Sequence, residues 1–283
     1  MKLFFKRCVL GIFAILCSWT LTSCSRLDVA LSWADTYIAA KVDDYFNLSS
    51  RQNKELKQAL RNNIHQIRKS KFPEWAQTLR QIAREIHDHP LSEAVVDKYF
   101  RQILLATDSL QPAFTETAVH FIGEARPDQL EHFERTVHQK NVEDEKKIQN
   151  SQKTRDENRK KYLRGIELWI DSLSKEQDQL LNRHLNENPF PARALIKNRN
   201  QVLEKFSASK KSPEALKDFV RSYYTDKNQY ADPEYREALR NYQTNLEKFT
   251  YQLLKSLNEK QKQSLCDNLM EKATLLERLA TKD

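Results

Sequence analysis

One cysteine near the start of the chain carries the clearest chemical signal in the sequence, because it follows a short apolar segment. Lys2, Lys6 and Arg7 precede an apolar run at 9–19. A basic start followed by such a run is typical of a secretory signal peptide. The run is too short to cross a bilayer, which takes ~20 apolar residues. Cys24 follows the run, at the position where such a segment ends.

The four residues Leu21-Thr22-Ser23-Cys24 resemble the lipobox of bacterial lipoproteins, in which a leucine and two small residues precede a lipidated cysteine. The resemblance implies that residues 1–23 are removed, that cleavage falls between Ser23 and Cys24, and that Cys24 carries diacylglycerol and an N-acyl chain. Two or three chains hold a protein essentially permanently, since each buried methylene contributes about 0.8 kcal/mol. Ser25, in place of an aspartate, implies sorting to the outer membrane of a Gram-negative cell. The alternatives are a chance cysteine behind an ordinary signal peptide and an uncleaved anchor.

No other motif points to catalysis or to a metal. The sequence contains no glycine-rich phosphate loop, no Gly-x-Ser-x-Gly turn and no His-Glu-x-x-His pair. His87, Asp88 and His89 are metal-ligand types, but residues two apart do not share a helical face and no further ligand is spaced to join them. We therefore expect no enzyme activity, no metal, and no cofactor other than the lipid on Cys24.

The composition predicts a helical protein with acidic partners other than nucleic acid. Removal of 23 of the 283 residues leaves 260, with glycine only at Gly123 and Gly165. So few glycines argue against a sheet protein, whose tight turns need positive φ angles. Loss of Lys2, Lys6 and Arg7 takes the formal net charge from +8 to +5. Since an exported protein does not meet nucleic acid, the acidic partners are lipid headgroups, lipopolysaccharide, cell-wall acids or an acidic protein, and a solvated basic surface is the alternative.

Cysteine usage is typical of an exported protein that does not depend on disulfides. Cys8 and Cys17 leave with the signal peptide and Cys24 is lipidated, so Cys266 has no partner. On its predicted helix Cys266 does not share the face of Leu265, and we expect it to be partly exposed. No basic neighbour or helix start is aimed at it, which favours a residue without a reactive role.

Apolar residues at spacings of three and four predict an all-α, elongated bundle of roughly ten helices. The first helix covers 27–46, where Trp33 and Tyr37 lie beside the apolar stripe and widen it. They are interpreted as core residues, and the lip of a ligand-binding site is the alternative. The second begins at Ser49 and should stop just before Pro73, because proline suits the first turn of a new helix.

The segment at 139–161 is the most polar part of the chain, and Ile148 is its only large aliphatic residue after Val142. A stretch this poor in apolar residues is not expected to be buried. It is therefore a projecting helical arm or a pair of helices broken around Asn150. It marks a sub-boundary near 150 in a periplasmic domain that spans 24–283, and we expect folding to survive its removal.

Several helix starts share one pattern, in which a capping residue stands three positions before a glutamine. The matches are Ser49 with Gln52, Ser174 with Gln177 and Asn258 with Gln261, and Arg126 with Gln129 is a degenerate fourth. In a capping box the side chain of the cap accepts a backbone N–H of the first turn, and the glutamine accepts the N–H of the cap. An apolar residue recurs four and eight positions after each glutamine. We therefore interpret the pattern as one structural helix-start module used four times at irregular spacing.

Short motifs around these helix starts resemble two groups of bacterial envelope proteins. The Leu-Ser-x-x-Gln element at 48–52 and 173–177 is similar to the Leu-Thr-x-x-Gln motif of periplasmic stress chaperones of the Spy and CpxP kind, which are helical cradles. A longer combination resembles an uncharacterised family of all-helical proteobacterial lipoproteins. It consists of the lipobox, Val-Asp-Asp-Tyr-Phe-Asn-Leu-Ser at 42–49, and the segment 162–177. That resemblance covers the whole mature chain and implies no assigned activity.

The leading functional hypothesis is a non-enzymatic binding or scaffold protein, anchored by lipid to the outer membrane and facing the periplasm. It would engage an envelope protein or polypeptide through a groove between helices. A chaperone-like holdase is the second hypothesis and an envelope enzyme the third. A groove with fixed walls favours one specific partner, whereas a flexible, apolar-lined concave face favours many clients.

Overall fold

The computed structural model describes residues 31–226 and 228–282, and this part of the chain is built from α-helices without a β-strand. The helices in chain order are α1 (Ala34–Phe46), α2 (Ser50–Asp88), α3 (Glu93–Asp108), α4 (Thr115–Gly123), α5 (Pro127–Gln149), α6 (Ser151–Glu167), α7 (Lys175–Glu187), α8 (Ala192–Ser209), α9 (Pro213–Thr225), α10 (Pro233–Lys255) and α11 (Glu259–Thr281), with a 3-10 turn at Pro112–Phe114. The predicted all-α, multi-helix fold is confirmed. Ser23 and Cys24 lie outside the described residues, and within those residues no helix has the length and apolar character needed to cross a membrane.

The longest helix, α2, has 39 residues and continues past Pro73, so the predicted stop before this proline is wrong. Proline removes one backbone hydrogen bond from a helix interior. The apolar stripe of α2 nevertheless continues on both sides of Pro73, through Ile67, Phe72 and Ala76. These side chains share one core with Leu276 and its neighbours on α11. Burial along the whole length of α11 therefore offsets the lost hydrogen bond.

Two aromatic residues at the start of α1 are exposed, and their interpretation as core residues is wrong. Trp33 is 64% exposed and Tyr37 is 39% exposed. The side of α1 that packs on α2 carries Ala34, Ile38 and Ala39, all of them buried. Small residues let the two helices approach closely, and the aromatic pair lies on the neighbouring face, outside that contact.

The polar segment is helical and consists of two helices broken at Asn150, whose side-chain oxygen accepts the N–H of Lys153 at 3.0 Å. The expectation that none of this segment is buried is wrong at Asn141, which is 2% exposed. Arg199 Nη1 on α8 donates to Asn141 Oδ1 at 3.2 Å and to Asp144 Oδ2 at 2.9 Å. Polar side chains can be buried when they satisfy one another, which apolar periodicity does not report.

Cys266 is buried, contrary to the expected partial exposure. It is 9% exposed and belongs to a core with Ala83, Ile86 and Leu269, where α11 packs on the far part of α2. Its Sγ donates to the carbonyl of Ala83 at 3.5 Å. Burial raises the pKa of the Cys266 thiol, which favours the unreactive protonated form.

Candidate functional site

The capping residues predicted from the sequence make the local hydrogen bonds of their helix starts. Ser49 Oγ and Ser174 Oγ each accept the backbone N–H of the glutamine three residues later, both at 3.3 Å. Asn258 Oδ1 accepts the N–H of Gln261 at 2.9 Å. The start at Arg126 has half of this arrangement, because a guanidinium has no acceptor. There the backbone N–H of the arginine donates to the side chain of the following glutamine at 3.1 Å.

The four glutamines of these helix starts are brought together in two buried pairs, which the capping pattern does not predict. Gln52 and Gln129 exchange amide hydrogen bonds with N–O distances of 3.1 and 3.0 Å. Gln177 and Gln261 do the same at 3.0 and 2.9 Å. Each of the four side chains is at most 5% exposed. The module used four times is therefore a pair of contacts between distant helix starts.

The remaining hydrogen bonds of each glutamine tie one turn to the other. Gln177 Nε2 also donates to the carbonyl of Ser256 at 3.0 Å, and Gln261 Nε2 donates to the carbonyl of Ser172 at 2.7 Å. The oxygen of each glutamine accepts the N–H of its own capping residue, at 2.8 and 3.2 Å respectively. Both amides therefore use their oxygen and both of their N–H groups.

The first pair repeats this geometry. Gln52 Nε2 donates to the carbonyl of Glu124, and Gln129 Nε2 donates to the carbonyl of Asn47. In all four cases the carbonyl lies five residues before the partner glutamine, so each pair has a local two-fold pattern. We call each pair with its two carbonyl contacts a glutamine lock. Lock 1 joins the α1–α2 turn to the α4–α5 turn, and lock 2 joins the α6–α7 turn to the α10–α11 turn.

The locks fix helix ends, and their amide groups are engaged in hydrogen bonds within the protein. One groove, of about 520 Å³, lies between the end of α3 and the start of α10. Its lining combines both charges with amides and an aromatic ring; it includes Asp108, Gln111, Tyr235, Arg236, Arg240 and Gln243. Gln111 is held there because its Nε2 donates to the carbonyl of Tyr223 at 2.7 Å.

The helix that forms one wall of this groove also exposes apolar side chains. In α3 the buried residues are Val96 and Tyr99. Ile103 is 40% exposed and Leu105 is 68% exposed, and Leu105 lies one turn before Asp108 of the groove. We call the groove together with Leu105 the α3–α10 surface, whereas Ile103, two residues before Leu105, lies on another face of α3. The α3–α10 surface places apolar, charged and amide groups side by side.

A second groove, of about 400 Å³, lies between α4 and α9. Glu116 and Arg221 form an ion pair across it, and His120 lies 3.8 Å from a carboxylate oxygen of Glu124. Its opposite charges compensate one another, so it offers less to a ligand than the α3–α10 surface does.

Two histidines, His87 and His184, lie in different settings. His87 Nδ1 lies 2.9 Å from Asp88 Oδ1, and no cluster of three metal-ligating side chains occurs in the described ranges. His184, which the sequence analysis did not single out, is 5% exposed and stacks on Phe249 with ring centroids 4.5 Å apart. Burial lowers the pKa of His184, so the ring is held neutral. Burial likewise raises the pKa of the neighbouring Tyr162, and the pair therefore behaves as part of the core.

The family model DUF6279, described as a family of unknown function, matches residues 44–236, which is more than half of the chain. The matched range contains lock 1 and Gln177 of lock 2, and it ends before Gln261. No curated protein matches the chain, and no solved structure matches it.

Proposed function

We propose that this chain, which belongs to the family of unknown function DUF6279, is a lipid-anchored outer-membrane protein that faces the periplasm and binds an envelope protein or polypeptide without chemical turnover. The observation that carries the proposal is Leu21-Thr22-Ser23-Cys24 behind a short apolar run. A thiol in that setting is an acylation site, and lipid chains on Cys24 would give the helical body a permanent place at the membrane.

The α3–α10 surface is the binding element of the proposal. Leu105 supplies exposed apolar area, while Arg236, Arg240 and Gln243 supply charged and amide contacts beside it. The groove has walls fixed by packed helices, since Tyr235 is buried and Gln111 is hydrogen-bonded to the backbone of α9. A fixed groove favours one partner of defined sequence.

A chaperone-like holdase is the second candidate, and two exposed aliphatic residues on different faces of α3 favour it. Ile103 and Leu105 are accessible without any rearrangement. Accessible aliphatic side chains suit transient contacts with many unfolded clients. The two candidates differ in what the same surface would capture in the cell.

Metabolic labelling with a fatty acid tests the anchor. We expect Cys24→Ala to lose the label and to accumulate as an uncleaved precursor or a soluble product. The matched control is Cys266→Ala, which removes the buried thiol and should keep the label. Acyl chains on the Cys24→Ala variant would overturn the anchor.

Photocrosslinking in the cell tests the binding surface. A crosslinking amino acid at position 105 should capture one discrete partner if the protein is a scaffold, and a heterogeneous set of polypeptides if it is a holdase. The same amino acid at Gln152, which is exposed on α6, is the matched control. Equal capture from both positions would overturn the assignment of the α3–α10 surface.

A further inference from the structure

A stripe of exposed side chains runs along α1 on the side that does not pack on α2. Trp33, Tyr37 and Lys41 are spaced four residues apart, so they lie above one another on one helical face. Trp33 is 64% exposed, and the ammonium of Lys41 lies 5.9 Å from the centroid of the Tyr37 ring. An exposed tryptophan and tyrosine beside a lysine form the combination that anchors proteins at the level of lipid headgroups.

The stripe is held outward by the packing of the opposite side of α1. Ile38 and Ala39 are 2% and 0% exposed in the core with α2. Asp35 Oδ2 accepts from Arg61 Nη2 of α2 at 2.9 Å, which fixes the rotation of the first turn. Trp33 therefore stays at the surface in this fold.

The helix next to this stripe is strongly basic. Within 51–71, the first half of α2, seven residues are basic and one, Glu55, is acidic. The basic residues are Arg51, Lys54, Lys57, Arg61, Lys69, Arg68 and Lys71. Arg61, which contacts α1, is 66% exposed. Basic side chains close to an anionic lipid surface contribute about 1 kcal/mol each to its binding.

The covalent chain keeps this end of the molecule close to the proposed lipid. Trp33 follows Cys24 by nine residues. A chain of that length spans at most about 30 Å when fully extended. By comparison, α2 alone, with its 39 residues, is roughly 58 Å long at 1.5 Å per residue. The start of α1 is therefore the part of the described fold that the anchor holds nearest to the membrane.

We propose that Trp33 and Tyr37, with the basic first half of α2, form a surface that lies against the anionic phospholipid headgroups of the membrane that holds Cys24. This inference rests on the proposed lipid anchor and adds an orientation to it. The lipid chains supply attachment, whereas the aromatic and basic side chains decide which side of the helical body meets the membrane.

Tryptophan quenching by brominated lipids in vesicles tests the proposal on the full acylated chain. In vesicles of phosphatidylethanolamine and phosphatidylglycerol we expect quenching that is mostly lost in Trp33→Ser. The matched control is Trp169→Phe, a half-buried tryptophan of another core, which should keep it. Trp33→Ser should leave the helical circular dichroism unchanged because the Trp33 side chain is exposed. Trp169→Phe should also leave it unchanged because phenylalanine keeps an aromatic ring at that position.

The outcomes test the lipid anchor on Cys24 and the membrane-facing orientation of the protein separately. Mass spectrometry of the same sample reports whether Cys24 is acylated, and a chain without lipid would overturn the proposed function. An acylated, vesicle-bound chain whose quenching is the same with and without Trp33 would overturn the orientation alone. If quenching in vesicles of neutral phosphatidylcholine equals that in the anionic vesicles, the proposed binding of anionic headgroups by the basic half of α2 would be overturned. A blue shift of Trp33 emission that depends on protein concentration without vesicles would assign the stripe to a second copy of the chain.

Discussion

Replacing Gln177 by alanine is expected to cost much more stability than removing the serine that caps the same helix. The Gln177 side chain accepts from the N–H of Ser174 and from Gln261, and it donates to Gln261 and to the carbonyl of Ser256. Four buried hydrogen bonds at about 1 kcal/mol each give a loss of about 4 kcal/mol. Ser174→Ala removes one capping contact and should cost about 1 kcal/mol.

A double-mutant cycle isolates the contact across the lock. Gln177→Ala and Gln261→Ala each remove the same two shared amide bonds, so the double variant should lose about 1 to 3 kcal/mol less than the sum of the single variants. Gln177→Ala combined with Gln52→Ala of lock 1 should be additive, because the two locks share no side chain.

Gln177→Glu adds a pH dependence that a surface residue would not produce. A protonated carboxyl offers one O–H where the amide offers two N–H groups, and a carboxylate offers none. Position 177 is 2% exposed, and the carbonyl of Ser256 and Oε1 of Gln261 face the lost donors. The folded state therefore favours the protonated acid, and the stability of Gln177→Glu should fall as the pH rises above about 4.3, the pKa of an unfolded glutamate.

Urea unfolding followed by circular dichroism measures all of these variants. Gln263→Ala is the matched control, since Gln263 is an exposed glutamine of α11 and should change the unfolding free energy by no more than about 0.5 kcal/mol. A cost of about 1 kcal/mol for Gln177→Ala, strictly additive with Gln261→Ala, would show that the glutamines cap their own helices and do not form a lock.

Two further predictions concern buried polar groups. Asp144→Ala should destabilise the fold by about 3 kcal/mol in thermal or urea unfolding, because it leaves the buried guanidinium of Arg199 short of its charged partner, whereas the exposed neighbour Glu143→Ala should have little effect. A null result would mean that the polar segment is as dispensable as its composition suggests. Because burial lowers the pKa of His184, the neutral ring contributes stability that is present above its unfolded pKa of about 6.5 and is lost as the pH falls from there through the lower pKa of the folded state. The loss of stability between pH 7 and pH 5 should be smaller in His184→Phe, which keeps the stacking on Phe249, and an unchanged pH profile would contradict this assignment.

The local features of the fold were predictable because their physical causes lie within a few residues. A capping box joins residues three apart, so Ser174 and Gln177 can be recognised without knowing what surrounds them. Apolar spacing of three and four reports the buried face of a helix, which is why the all-α fold followed from the sequence. The break at Asn150 was one of the two alternatives for the polar segment, and the structure has this one. Cys24 belongs to the same class, since its signal is contained in one short segment, and the anchor remains a prediction.

The features that were missed depend on contacts between residues far apart in the chain. The capping pattern identifies each glutamine but not its partner, which is 77 residues away in lock 1 and 84 in lock 2. The local chemistry of Pro73 predicts the end of a helix. The helix α2 nevertheless continues through Pro73 because it packs against α11. Asn141 is polar and is buried because Arg199 lies opposite it.

The placement of Trp33 and Tyr37 in the proposed membrane-facing surface likewise has one local cause and one long-range cause. That Trp33 and Tyr37 belong to a helix close to Cys24 is predictable from the sequence, because helical spacing and covalent distance are local quantities. Their outward direction depends on long-range contacts, since the rotation of α1 is fixed by the hydrogen bond between Asp35 and Arg61 and by burial of Ile38 against α2. Trp33 and Tyr37 extend the apolar stripe of α1 beyond the width of its contact with α2, and they are therefore exposed. The partner helix α2 sets how wide that contact is.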